Sequence, residues 1–105
     1  MSNYVIALCT CPTPEAAREI ATALVQSKLA ACVNILPGLL SVYRWQDEVC
    51  AEPEVQMLIK TTRSQLDGAF NLLLSMHPYD VPEWLVMDVA DGSDTYLNWI
   101  DSSLK

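Results

Sequence analysis

The sequence predicts an α+β domain of the ferredoxin-like, split βαβ kind: strand, helix, strand, strand, helix, strand, with an added C-terminal helix. Three observations predict it. An apolar run of strand length, Tyr4 to Thr10, is followed at once by helical spacing from Pro14 onward. Residues suited to a pleated surface then run from Ala30 to Thr62, folded back on themselves around Gln46-Asp47. A second helical stripe and a short apolar stretch close the order. At 105 residues without repeats, linkers or low-complexity tracts, the whole chain, 1–105, reads as one domain.

The first strand, YVIALCT, is continuously apolar, the pattern of a central strand buried on both faces. Pro12 ends it. The first helix has its start chemistry in place, with a hydroxyl cap at Thr13, proline at the first helical position and Glu15 in the first turn. Ala17, Ile20, Ala21 and Leu24 then form one apolar face. Lys28 suits the helix end.

In the long hairpin, Val33, Ile35, Val42, Tyr43 and Trp45 go out and Val49, Val55, Met57 and Ile59 return. Its length is the telling property. Ala31 to Trp45, if extended, spans roughly 50 Å at about 3.3 Å per residue. A compact domain of this size is only about 35 Å across, from a radius of gyration near 13 Å. The hairpin is therefore expected to overhang its own domain, and an isolated apolar two-stranded ribbon is marginal in water. Another copy of the chain is the natural cover. Pro37-Gly38 and Glu52-Pro53-Glu54 predict a bend in each strand, dividing a base that joins the sheet from an arm that leaves it.

Thr62-Arg63-Ser64-Gln65 has the spacing of a capping box before a helix carrying Leu66, Ala69, Phe70 and Leu73. A proline-broken loop, Met76 to Glu83, leads to a fourth strand over Trp84 to Ala90. Asp91-Gly92-Ser93-Asp94 then opens the last helix, with Tyr96, Leu97 and Ile100.

Composition narrows the function. Hydrophobic residues make up 51% and charged ones 18%, below the usual share of about 25%, which favours a buried subunit interface. The net charge of −7, with six scattered basic residues, argues against nucleic acid or an anionic membrane as partner. Met1-Ser2-Asn3-Tyr4 has no basic n-region or apolar h-region, and no apolar run approaches a membrane span. A cytoplasmic protein is expected, with its four cysteines as thiols or ligands rather than disulfides.

Topology brings chemistry together. Right-handed crossovers make the first and second strands parallel, insert the third antiparallel between them and set the fourth beside the first. The loop from His77 to Glu83 then lies at the sheet edge where the first strand ends, beside Cys9 and Cys11. Two thiols that share a face and one imidazole suit Cu(I), Cu(II) or Zn. On residue chemistry alone the plainer reading of Cys9 is a small buried apolar residue, and Cys32 also reads as packing. Cys50 reads as exposed or interfacial. The acidic pairs Asp47-Glu48, Glu52/Glu54 and Asp91/Asp94 read as solvated charge in turns. No orienting group or oxyanion hole accompanies a nucleophile, and with three glycines there is no phosphate-cradling loop, so no enzyme is expected. The aromatic residues lack the positive groove of a base-stacking platform.

Four blocks in fixed order, LAACVNILPG, SVYRWQDEV, EVQMLIKTT and HPYDVPE, resemble the CutA divalent-cation tolerance family across essentially the whole chain. The resemblance implies a ferredoxin-like homotrimer, similar in architecture to PII-type signalling trimers, in which long hairpins of neighbouring subunits pair. It implies tolerance to copper and other divalent ions, Zn among them. Copper ligands attributed to the family carry over to Cys9 and His77. Some members have a second His where this chain has Met76, whose thioether is a softer, weaker donor that suits Cu(I) better than Cu(II). Met76 and Cys11 stand beside the site as auxiliary candidates. Alternative functions are a PII-like trimer binding a small ligand in inter-subunit clefts lined by Lys60, Tyr79 and Glu83, or a structural, partner-binding trimer with an indirect metal effect.

Overall fold

A computed structural model describes residues 2–105; Met1, with which the targeting argument begins, lies outside the described residues. The elements follow the expected order: β1 Tyr4–Cys11, α1 Pro14–Gln26, β2 Cys32–Trp45, β3 Glu48–Thr62, α2 Leu66–Met76, β4 Leu85–Asp88 and α3 Asp94–Ser103, with a 3-10 turn at Arg63–Gln65. The sheet order is β2-β3-β1-β4, every neighbouring pair antiparallel. β3 thus lies between β1 and β2, and β4 beside β1, as the crossover argument requires.

One face of the sheet carries the core. The Thr13 hydroxyl accepts the Ala16 N–H at 3.1 Å and starts α1 behind Pro14. The buried stripe Ala17, Ile20, Ala21 and Leu24 then packs with Ala7, Cys9 and Cys11 of β1, Val55, Met57 and Ile59 of β3, and Ala69 and Leu73 of α2. Burying a side chain of the size of Leu24 or Ile59 contributes on the order of 1.5–3 kcal/mol. Trp84 packs on the same core and against the Phe70 ring at 5.0 Å.

The opposite face is open. β1 alternates buried and half-buried residues, so the expectation of burial on both faces does not hold for the single chain. Ile6 and Leu8 face outward beside Met87 and Leu85, which are their cross-strand partners on β4 and are exposed. α3 touches this side, through the Tyr4 hydroxyl donating to Asp101 at 2.5 Å and the Lys60 ammonium over the Tyr96 ring at 5.6 Å.

The ribbon overhangs as expected. The molecule measures 45 × 26 × 23 Å with a radius of gyration of 14.3 Å, against about 13 Å for a compact chain of this length. Gln46 and Asp47 both take positive φ, 49° and 65°, closing a two-residue turn between Trp45 and Glu48. That turn type usually carries Asn-Gly. The outgoing strand has its bend: the register shifts between Leu36 and Leu39, and Gly38 supplies a φ of 82° there. The returning strand does not. Pro53 pairs in unbroken register with Leu40. It can do so because β1 ends opposite Val55, leaving β3 with a free edge beyond, where proline is tolerated.

Two local expectations are corrected. Thr62 makes no capping bond; its hydroxyl meets that of Ser64 at 3.2 Å, and a 3-10 turn precedes α2. The Gln65 amide donates instead to the Lys28 carbonyl at 2.7 Å, a carbonyl turned outward because Lys28 adopts a left-handed φ of 59° past the end of α1. β4 is also shorter than Trp84 to Ala90, since Trp84 belongs to the core rather than to the ladder.

Candidate metal centre at the end of the first strand

Alternation along β1 puts Cys9 and Cys11 on the same, buried face, both with no solvent exposure. α2 climbs the same face and delivers His77 to the strand end. Its backbone is pinned, because the His77 N–H donates to the Leu73 carbonyl at 2.8 Å and so closes α2. The His77 ring is buried as well, 9% exposed.

Both ring nitrogens have partners. The Tyr79 backbone N–H donates to Nδ1 at 3.0 Å. Nδ1 is therefore the acceptor, so Nε2 carries the proton and donates to the Thr10 carbonyl at 2.8 Å. The Cys11 sulfur stands 3.6 Å from the same Nε2. The Cys9 sulfur lies 3.6 Å from that same Thr10 oxygen. The Cys9 thiol and the His77 imidazole thus meet at the carbonyl of the residue between the cysteines, while the Cys11 thiol meets the imidazole itself. The neighbouring Cys11 sulfur, then burial, push the Cys9 thiol far above its ordinary range, so it keeps its proton. The neighbouring Cys9 thiol draws the Cys11 thiol below its ordinary value, against the opposing effect of burial.

A polar network adjoins this cluster. The Tyr79 hydroxyl donates to Glu54 Oε2 at 2.8 Å, and the Gln56 amide donates to Glu83 Oε1 at 3.1 Å. Burial, and then the Glu54 carboxylate, raise the Tyr79 phenol well above its usual value. Glu54 is only 9% exposed, so it is not the solvated turn charge expected from Glu52/Glu54. Lys60 does not share this network, as it lies four residues further along β3 beneath α3. The trio Lys60, Tyr79 and Glu83 is therefore divided within one chain. Met76 is exposed and lines a shallow groove on the outer side of α1 with Glu15 and Arg18, away from the thiols. Cys32 and Cys50 are half-buried, and all four cysteines are free.

Sequence reasoning missed the Thr10 carbonyl and the Tyr79–Glu54 pair. No side-chain pattern marks a backbone acceptor, and Glu54 follows a proline in an acidic stretch that resembles an exposed turn. Donor chemistry fits a soft or borderline ion, because thiol and imidazole are what Cu(I), Cu(II) and Zn take. Among the described residues no three His, Cys, Asp or Glu side chains already surround one point as ligands.

The sequence model of the family described as CutA1 divalent ion tolerance protein matches residues 5–103. The chain belongs to the CutA1 family. It is 46% identical over 95 residues to the divalent-cation tolerance protein CutA of Thermus thermophilus, covering 90% of this chain and 92% of that one. The CutA of Pectobacterium atrosepticum is 43% identical over 105 residues, 100% of this chain and 96% of its own. In solved structures, the CutA of Xylella fastidiosa superposes with a TM-score of 0.96 at 39% identity, covering 99% of this chain and all of the other. A structure from Archaeoglobus fulgidus, titled a periplasmic divalent cation tolerance protein CutA, gives a TM-score of 0.94 at 31% identity, with coverage of 97% and 99%. Among the described residues of this CutA1 chain no helix is long and apolar enough to cross a membrane.

Proposed function

We propose that this CutA1 chain is a metal-binding, metal-responsive homotrimer of the cytoplasm without turnover chemistry, working as one domain over residues 1–105. Copper is the ion the donor set favours, with Zn as the borderline alternative, and Cys9 and His77 are its ligands. The observation that carries this reading is the clustering of two buried thiols around a buried imidazole at the end of β1, Cys11 against the ring nitrogen and Cys9 against the Thr10 carbonyl that the ring also meets. The names of the relatives support the cation class. The trimer is supported by the open apolar face and the overhanging ribbon, which need cover that one chain does not provide. Reading the chain as one without turnover chemistry is supported by the names of its relatives, which are those of tolerance proteins rather than enzymes.

Copper titration of the wild type, Cys9→Ser and His77→Ala, with metal-buffered competition to exclude surface binding, tests the site. Both variants are expected to lose affinity. If both bind as tightly as the wild type, Cys9 is a core residue and this reading fails. A second reading, a small ligand held at an inter-subunit cleft, draws on the buried Glu54–Tyr79 pair and its neighbours Gln56 and Glu83. Native mass spectrometry that finds a retained metabolite in place of an ion would favour it. An indirect metal effect through a protein partner would leave both the ion and the metabolite absent.

A further inference from the structure

Resting on that metal-binding reading, we propose that Cys11 is a ligand in its own right, making the centre a two-thiol, one-imidazole site for a soft monovalent ion of the Cu(I) class. The geometry singles out this residue. Of the two buried thiols it is Cys11 whose sulfur faces the His77 ring nitrogen, at 3.6 Å. An ion about 2.3 Å from sulfur and about 2.0–2.1 Å from imidazole nitrogen holds its two donors about 3.5–3.6 Å apart at a tetrahedral angle and about 3.7–3.8 Å apart at the trigonal angle of a three-donor site. The Cys11–His77 pair, at 3.6 Å, is already close to that separation. Cys9 enters as the third donor by turning its sulfur off the Thr10 carbonyl, the oxygen that Nε2 also releases when it takes the ion.

The chemistry balances without an electron. Cu(I) arrives as Cu(I), and each ligating thiol gives its proton to solvent. The imidazole stays neutral by exchanging its Nε2 proton for one on Nδ1. Nδ1 then becomes a donor facing the Tyr79 N–H, so that hydrogen bond breaks and the Tyr79 backbone shifts. Because the Tyr79 hydroxyl holds Glu54, ligation at His77 reaches the polar network on the other side of the loop.

Anaerobic Cu(I) titration against a competing Cu(I) chelator, run on wild type, Cys11→Ser and Cys9→Ser, tests the proposal beside copper X-ray absorption of the loaded proteins. The wild type is expected to show two sulfur and one nitrogen neighbours. Cys11→Ser is expected to lose one sulfur and at least tenfold in affinity, and the Tyr79 amide resonance to move on loading the wild type. The wild-type absorption spectrum needs no variant to fold, so a single sulfur neighbour there overturns the proposal by itself. So does a Cys11→Ser protein that binds with wild-type affinity and sulfur count; Cys9 and His77 then remain the site. No saturable Cu(I) binding by the wild type would overturn the metal-binding reading along with this one.

Discussion

β2 and β3 run through two different environments, and the contrast between their ends carries the assembly argument. At the base, Val55, Met57 and Ile59 are at most 2% exposed, pressed between α1, β1 and α2. In the arm, Leu40, Val42, Trp45 and Val49 are 57–69% exposed. The residue types are alike, so the difference is not chemical. It is topological: β1 ends opposite Val55, and the helices reach no further than the four-stranded part. An arm so apolar has no reason to be extended in water unless something lies on it. The strand residues suit burial along their full length, and the single chain covers only those at the base.

The comparison breaks most readily at Trp45. In an assembly where the arm is covered, Trp45→Ala is expected to weaken association and folding together by about 3–5 kcal/mol, the usual cost of truncating a large buried aromatic. A monomeric variant with an undiminished melting temperature would show that the arm is dispensable. At the base, Ile59→Ala is expected to cost about 2–5 kcal/mol through the cavity it leaves. Its loss differs in kind, because it lowers the stability of each chain even where association is saturated. Thermal melts across a hundredfold range of protein concentration separate the two effects.

A smaller effect sharpens the boundary between base and arm, where Tyr79 meets Glu54. The phenol's folded pKa is raised above its ordinary 10.0. The folded chain then keeps a proton that the unfolded chain loses, so the contribution is complete below about pH 10 and is lost as pH rises further. Tyr79→Phe is expected to flatten the alkaline fall in stability, measured by urea melts from pH 8 to 11.5. An unchanged slope would show the phenol to be free of Glu54. The smallest effect sits at the tip. Gln46→Asn with Asp47→Gly relieves two left-handed residues and is expected to stabilise by no more than about 1 kcal/mol. A clear loss of stability would mean that these side chains make contacts in the assembly.

Much of this was legible in the sequence, and the reasons are specific. Thr13-Pro14-Glu15 and the stripe from Ala17 to Leu24 predict α1 because local chemistry alone starts and faces a helix. The meeting of the β1 end with His77 follows from strand direction and crossover handedness, without any motif. Thr62 to Gln65 misled because Gln65 found a tertiary partner in the outward-turned Lys28 carbonyl, which no local pattern reveals. The double burial expected of β1 failed in the single chain because its second face has no cover there. At the site, the thiol that faces the imidazole is fixed by how side chains turn at the strand end, and spacing cannot distinguish Cys9 from Cys11 when both lie on one face.

Native mass spectrometry of the protein, purified without chelator and then loaded with copper, tests the central claim most directly because it reports assembly and ion together. The expected result is a three-chain species at micromolar concentration that takes up one copper ion per chain and loses it when His77 is replaced by Ala. A stable monomer of 11.7 kDa that retains no ion would contradict it.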